Sequence, residues 1–149
     1  MNAKKFGMIL SLFMNIIMGS VLTLIAFKVG GVPFSAVLFG QYVLISLGLG
    51  YVLSDWIPAY AIGQMLASKM GIKNNFLIHA VAVAVLDGIF VTLCSFLNSF
   101  AAFGADLFQP WLGCLPFYLG SGYIVLLIVL PIGMKLATAI SGFDPVAAA

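Results

Sequence analysis

From Phe6 to Phe27 the chain runs without a charged side chain, and the stretches Phe34–Ser68, Phe76–Leu97 and Leu115–Ile140 carry one each. Runs of this length are what a membrane demands, since about 20 apolar residues in a helix cross a hydrocarbon core of about 30 Å. Lipid offers the backbone no hydrogen bonds, so only helices and closed barrels span it. Barrel strands alternate apolar and polar residues, whereas these runs are continuously apolar. The expected fold is therefore an all-α integral membrane protein of four transmembrane helices, with residues 1–149 as a single membrane domain. Composition removes the soluble alternative: 7% of the residues are charged, against about 25% in soluble domains.

The breaks between spans hold turn and polar residues: Lys28 to Pro33, Lys69 to Asn75, and Asn98 through Pro116. The first run is longer than a signal-peptide core of about 7–15 residues and has no clean small-residue cleavage site after it, so it is read as a retained span. Lys4, Lys5, Lys69, Lys73 and Lys135 fall on one side of a four-span bundle, and Lys28 and Asp106 on the other. The positive-inside rule then makes both termini cytoplasmic. It leaves Asn98–Pro116 as an external connection, with Trp111, Phe117 and Tyr118 at the outer interface.

Span two admits two boundaries, because 35 residues would make a helix of about 52 Å. If it covers Phe34–Leu53, Asp55 and Trp56 mark the interface and an interfacial helix follows to Ser68. If it covers Gln41–Leu66, Asp55 lies near mid-membrane and Pro58 kinks the span.

An internal repeat favours the second boundary. An offset of 69 pairs Gly19 with Gly88, Thr23 with Thr92 and Phe27 with Phe96. An offset of 70 pairs Gly50 with Gly120, Gly63 with Gly133 and Ala67 with Ala137. Each half, about 6–70 and 76–142, would be a helical hairpin, and two spans per half make the repeat parallel, with a pseudo-two-fold along the membrane normal. The small residues of spans one and three, and the Pro131-Ile132-Gly133-Met134-Lys135-Leu136 ending of span four, resemble the uncharacterised bacterial membrane family called domain of unknown function 2798. Its members are short helical hairpins, so the resemblance implies two copies here and a place in the bacterial cytoplasmic membrane. It implies no activity. The first half departs from the pattern, since Ile62-Gly63-Gln64-Met65-Leu66 lacks the proline.

Two carboxylates stand out. Asp87 is near the centre of span three on any boundary, and its repeat partner is Met18, so the hairpin scaffold does not require the charge. An ionised Asp at mid-bilayer costs about 2.5–3.5 kcal/mol on insertion scales. The functional reading is a proton- or cation-binding group; the structural one is a protonated Asp hydrogen-bonded to a neighbouring helix. Asp55 joins it as a second titratable site only if it lies deep. His79, Gln64 and Lys135 belong to the cytoplasmic third. Lys135 either snorkels to the interface or pairs with a carboxylate. His79 is about 12 Å along the helix from Asp87, so only a hydrated path would connect them. Small residues spaced by four, Ala80, Ala84, Gly88 and Thr92 on span three and Ser46, Gly50 and Ser54 on span two, are read as helix-packing stripes.

Much else is excluded. Without Arg or a basic patch the chain has no nucleic-acid footprint. One His and no Glu supply no catalytic signature, metal-ligand spacing or cofactor motif, so neither an enzyme nor a cofactor is expected. Cys94 and Cys114 read as free thiols, with a disulfide the alternative. Two functions remain: a proton- or cation-linked transporter or channel-like protein using Asp87, or a non-catalytic structural subunit packed against partner helices. The partners expected are the lipid bilayer and a second copy or another membrane protein.

Overall fold

In the computed structural model the described residues are 2–31 and 33–143; the side chains of residues 2, 3, 54, 55 and 102 lie outside that description. Five α-helices follow in order: α1 (Asn2–Lys28), α2 (Ala36–Trp56), α3 (Ala59–Lys69), α4 (Asn75–Phe103) and α5 (Phe108–Ser141). Four of them, all but α3, are long and apolar enough to cross a membrane, which fits a multi-pass membrane protein.

Local chemistry sets the boundaries. Ser35 and Asn74 cap α2 and α4 by accepting from the amides of Leu38 and Phe76, which satisfies donors that have no helical partner. Of the two expected boundaries the helices fit the first: the span-length apolar stretch is Ala36–Leu53, and a separate helix follows over Ala59–Lys69. Pro58 lacks an amide hydrogen, and the residue before a proline is pushed out of the helical region. Ile57 accordingly sits at φ −120°, ψ 103°, α2 stops at Trp56 and α3 restarts at Ala59. The single span Gln41–Leu66 is thereby corrected, and Asp55 falls on the last turn of α2, its side chain outside the described set.

The expected external connection Asn98–Pro116 is also corrected. α4 runs on to Phe103, a short 3₁₀ turn covers Gly104–Asp106, and α5 starts at Phe108. Asn98 looked like a loop residue but is buried in the bundle. Pro110 lies in the first turn of α5, where no helical acceptor is missed. Pro116 and Pro131 remain inside α5, each forgoing one backbone bond; packing on α4 by its first half and on α1 by its second keeps α5 continuous.

Gly104 adopts φ 58°, ψ −129°, a conformation left almost entirely to glycine. A Cβ there meets open space, so any cost of a side chain is conformational. Gly104→Ala is expected to lower stability by about 1–3 kcal/mol, read as a drop in the thermal midpoint of the detergent-solubilised chain.

α1 and α2 pack antiparallel, as do α4 and α5, and α5 returns alongside α1, with Phe6 and Phe143 in edge-to-face contact at 5.8 Å. α3 lies on α4 through its buried small residues Ala59, Gly63 and Ala67. A Cβ on Gly63 would be 2.5 Å from the Ala82 Cα, so the two backbones approach as only glycine permits. Lys4 and Lys5, the α3–α4 turn and the end of α5 gather at one end of the bundle; Lys28 and Asp106 lie at the other.

Candidate functional site

Between α1, the α2–α3 bend and the α4–α5 pair lies a cleft of about 840 Å³, within the range of pockets that hold small molecules. Met14 and Met18 of α1, Leu86 and Phe90 of α4, and Leu126 and Leu130 of α5 make its apolar walls. Its polar groups are Lys4, Ser11 and Asn15 of α1, Tyr51 of α2, and Tyr60 and Gln64 of α3. Most sit in the half nearer the α1 N-terminus. The opposite end is closed by Leu22, Ser46 and Cys94.

The α1–α2 seam holds one side of the cleft. A Cβ on Gly19 would stand 2.9 Å from Ser46 Cβ, and one on Gly50 would overlap the Asn15 amide. Ser46 and Gly50 therefore form the close contact of this seam; Ser54 lies outside the described side chains. Asn15 donates from Nδ2 to the Ser11 carbonyl at 2.8 Å, which holds its amide against α1.

Asp87 sits just behind the cleft wall. It is 4% exposed, and its Oδ1 lies against Gly122 of α5 with no hydrogen-bond partner among the described residues. A Cβ on Gly122 would collide with that oxygen and come within 3.0 Å of Val91 Cγ2. Val91, one turn on from Asp87, lines the cleft, as does Leu126, one turn on from Gly122. The carboxyl is thus one layer of side chains from the cleft, in space that exists because residue 122 is glycine. A buried, unpartnered polar atom costs about 1–3 kcal/mol. Gly122→Ala is expected to destabilise the chain by about 1–3 kcal/mol, and adding Asp87→Ala should restore most of that loss. Simple addition of the two losses in a double-mutant cycle would show that Asp87 does not fill this space.

The stripe Ala80, Ala84, Gly88 and Thr92 is a correction. Ala84 and Gly88 are exposed, and a Cβ on Gly88 meets nothing within 4 Å. The face of α4 that packs inward carries Val83, Asp87, Val91, Ser95 and Asn98, so Asp87 lies on the contact stripe itself. In lipid the outward face is as apolar as the inward one, so small-residue spacing alone did not distinguish them.

Among the other predicted residues, the structure joins two and separates one. Gln64 and Tyr60 share the cleft edge, and Tyr60 Oη is 2.9 Å from His79 Nδ1, with donor and acceptor set by the His tautomer. Burial pushes the Tyr60 hydroxyl above its ordinary range, so it keeps its proton. His79 Nε2 is buried without a partner among the described residues. Lys135 is exposed on α5 and does not line the cleft.

A second polar group lies at the far end, and sequence reasoning missed it. Asn98 donates from Nδ2 to Ser46 Oγ at 3.0 Å, and Trp111 donates from Nε1 to Ser95 Oγ at 3.1 Å. Tyr118, expected at the outer interface, is 4% exposed inside the bundle. The available signal was polarity in α4 at Ser95, Asn98 and Ser99, the i, i+3, i+4 spacing of one helix face. Cys94 and Cys114 are both free and buried. Among the described residues no cluster of three His, Cys, Asp or Glu gathers to hold a metal.

Compared with known protein families, curated proteins and solved structures, the chain matches none of them.

Proposed function

We propose that the chain is a proton-linked transporter of the bacterial cytoplasmic membrane, with both termini cytoplasmic, whose substrate occupies the cleft and whose Asp87 takes up and releases the coupling proton. The observation that carries this is the placing of an unpartnered Asp87 oxygen one side-chain layer behind the wall of an 840 Å³ cleft. A carboxyl so placed can sense whether the cleft is wet or filled. Its charge then changes with occupancy, which is what coupling requires.

A parallel two-hairpin repeat supplies the moving parts in this reading. Its support is a pair of matching contacts. Gly63 meets Ala82, and Gly133 comes within 3.0 Å (from an added Cβ) of Phe13; Gly63 is 70 residues before Gly133, and Phe13 is 69 before Ala82. Each half would thus press the end of its second arm on the first helix of the other half.

The test is Asp87→Asn in proteoliposomes. Loss of pH-driven flux with the fold retained supports the reading, and undiminished flux refutes it. The exposed Ala84 and Gly88 favour a second reading, a scaffold subunit whose α4 accepts a partner helix. A stoichiometric membrane partner that co-purifies, and is lost on Gly88→Leu, would establish that reading instead.

A further inference from the structure

At the end of the bundle remote from the α1 N-terminus lies a second, small cavity of about 10 Å³, about the space needed for one water molecule. Gly30, Phe103 and Pro110 line it at the helix ends, and Thr23, Tyr42 and Asn98 on its inner side. Tyr42, 2% exposed, and Asn98, 6% exposed, each present a buried oxygen, Oη and Oδ1, that finds no partner among the described residues. A cavity of this size takes up a water only where polar groups reach it, and Thr23, Asn98 and Ser99 are among its lining residues.

This cavity and the large cleft share one residue. Leu22 lines both and is 3% exposed. Beside it, Ser46 belongs to the cleft and Asn98 to the cavity, and the Asn98–Ser46 hydrogen bond crosses between them. The two spaces are collinear along α1: cleft contacts run from Lys4 to Leu22, and cavity contacts from Leu22 to Gly30.

We propose that the small cavity is the far half of a single path through the bundle, and that Leu22 with the Ser46–Asn98 hydrogen bond is the closed gate between it and the cleft. The proposal rests on the transport reading and adds where access is switched. In this proposal the cleft communicates with the side of the α1 N-terminus, where Lys4 and Phe6 line it, and the gate shuts it from the far side. Opening the far side requires α1 and α2 to carry Leu22 and Ser46 away from α4, which breaks one hydrogen bond and moves one leucine.

The two native cysteines report the two halves, since Cys94 lines the cleft and Cys114 the cavity. The full chain is placed in inside-out and right-side-out vesicles, with sidedness set by protease access to a terminal tag. A small membrane-impermeant methanethiosulfonate is then applied from one side. In the Cys114→Ser chain, Cys94 is expected to react from the side of the α1 N-terminus only. In the Cys94→Ser chain, Cys114, whose cavity has room for one water and no reagent, is expected to stay unreactive until a gate variant opens the far side. Adding Leu22→Ala or Ser46→Ala should make Cys94 reactive from the far side, where the chain with an intact gate shows no reaction. Helix content and a monodisperse detergent peak equal to the wild type's verify that the variants fold. If Cys94 keeps its cleft-side reactivity but neither variant admits reagent from the far side, the gate is wrong and the transport reading stands. If wild-type Cys94 reacts from both sides there is no gate. If it reacts from neither, the cleft is not connected to water and both readings fall.

Discussion

Proteoliposomes carrying Asp87→Asn are expected to move no more protons under an imposed pH gradient than protein-free vesicles. Helix content and stability in detergent should equal those of the wild type or exceed them. Asn has nearly the volume of Asp, so the contact with Gly122 survives, and its amide still offers hydrogen-bonding atoms. What disappears is the ability to exchange a proton. The stability half of the prediction is as informative as the flux half. Asp87 Oδ1 is buried without a partner among the described residues, and an unmade hydrogen bond of that kind costs about 1–3 kcal/mol. A residue retained for structure would be partnered; one retained for activity is commonly tolerated at a cost to stability. Flux lost together with stability would assign Asp87 to the scaffold. Flux retained would remove it from the transport cycle.

Gly63→Leu is expected to detach α3 from α4. A Cβ at residue 63 would already lie 2.5 Å from Ala82 Cα. The obstruction is backbone, which a rotamer change does not relieve, so the loss should exceed the about 1–3 kcal/mol typical of overpacking. Amide hydrogen exchange would show residues 59–69 exchanging freely, with α1 and α5 still protected. Gly88→Leu is the control, since its surroundings are open, and it should leave exchange nearly unchanged in the isolated chain. The reverse ranking would mean that the outward stripe, and not the α3 contact, is where the fold is held together.

The four spans were legible because their apolar runs are long and hold few charges, and no tertiary contact is needed to drive such a run into a helix. Their ends were less legible. Asn98 has the polarity of a loop residue, and only its Ser46 partner on another helix explains why α4 continues past it. Pro58 and Pro131 are the same residue type, yet one ends a helix and the other does not. The difference lies in what packs alongside, which a single chain of letters does not display. Asp87 was legible as a singular charge in an apolar run. Its neighbour Gly122 was not, because a glycine that makes room for a side chain 35 positions away looks like any other glycine in a membrane helix. The inward face of α4 was misassigned for a related reason: lipid and protein interior are equally apolar, so Ala84 and Gly88 read as well for packing as Val83 and Val91.

The short helix α3 also bears on how the chain is made. Its small face closes on Ala82, which is synthesised 19 residues after Gly63. At about 5–20 residues per second of translation, α3 waits on the order of 1–4 s for its partner to appear. The α1–α2 seam, with Gly19 against Ser46, is complete by then. Assembly therefore has an order written into it: a first hairpin that locks early, and an 11-residue helix left unattached until the second hairpin begins to enter the membrane.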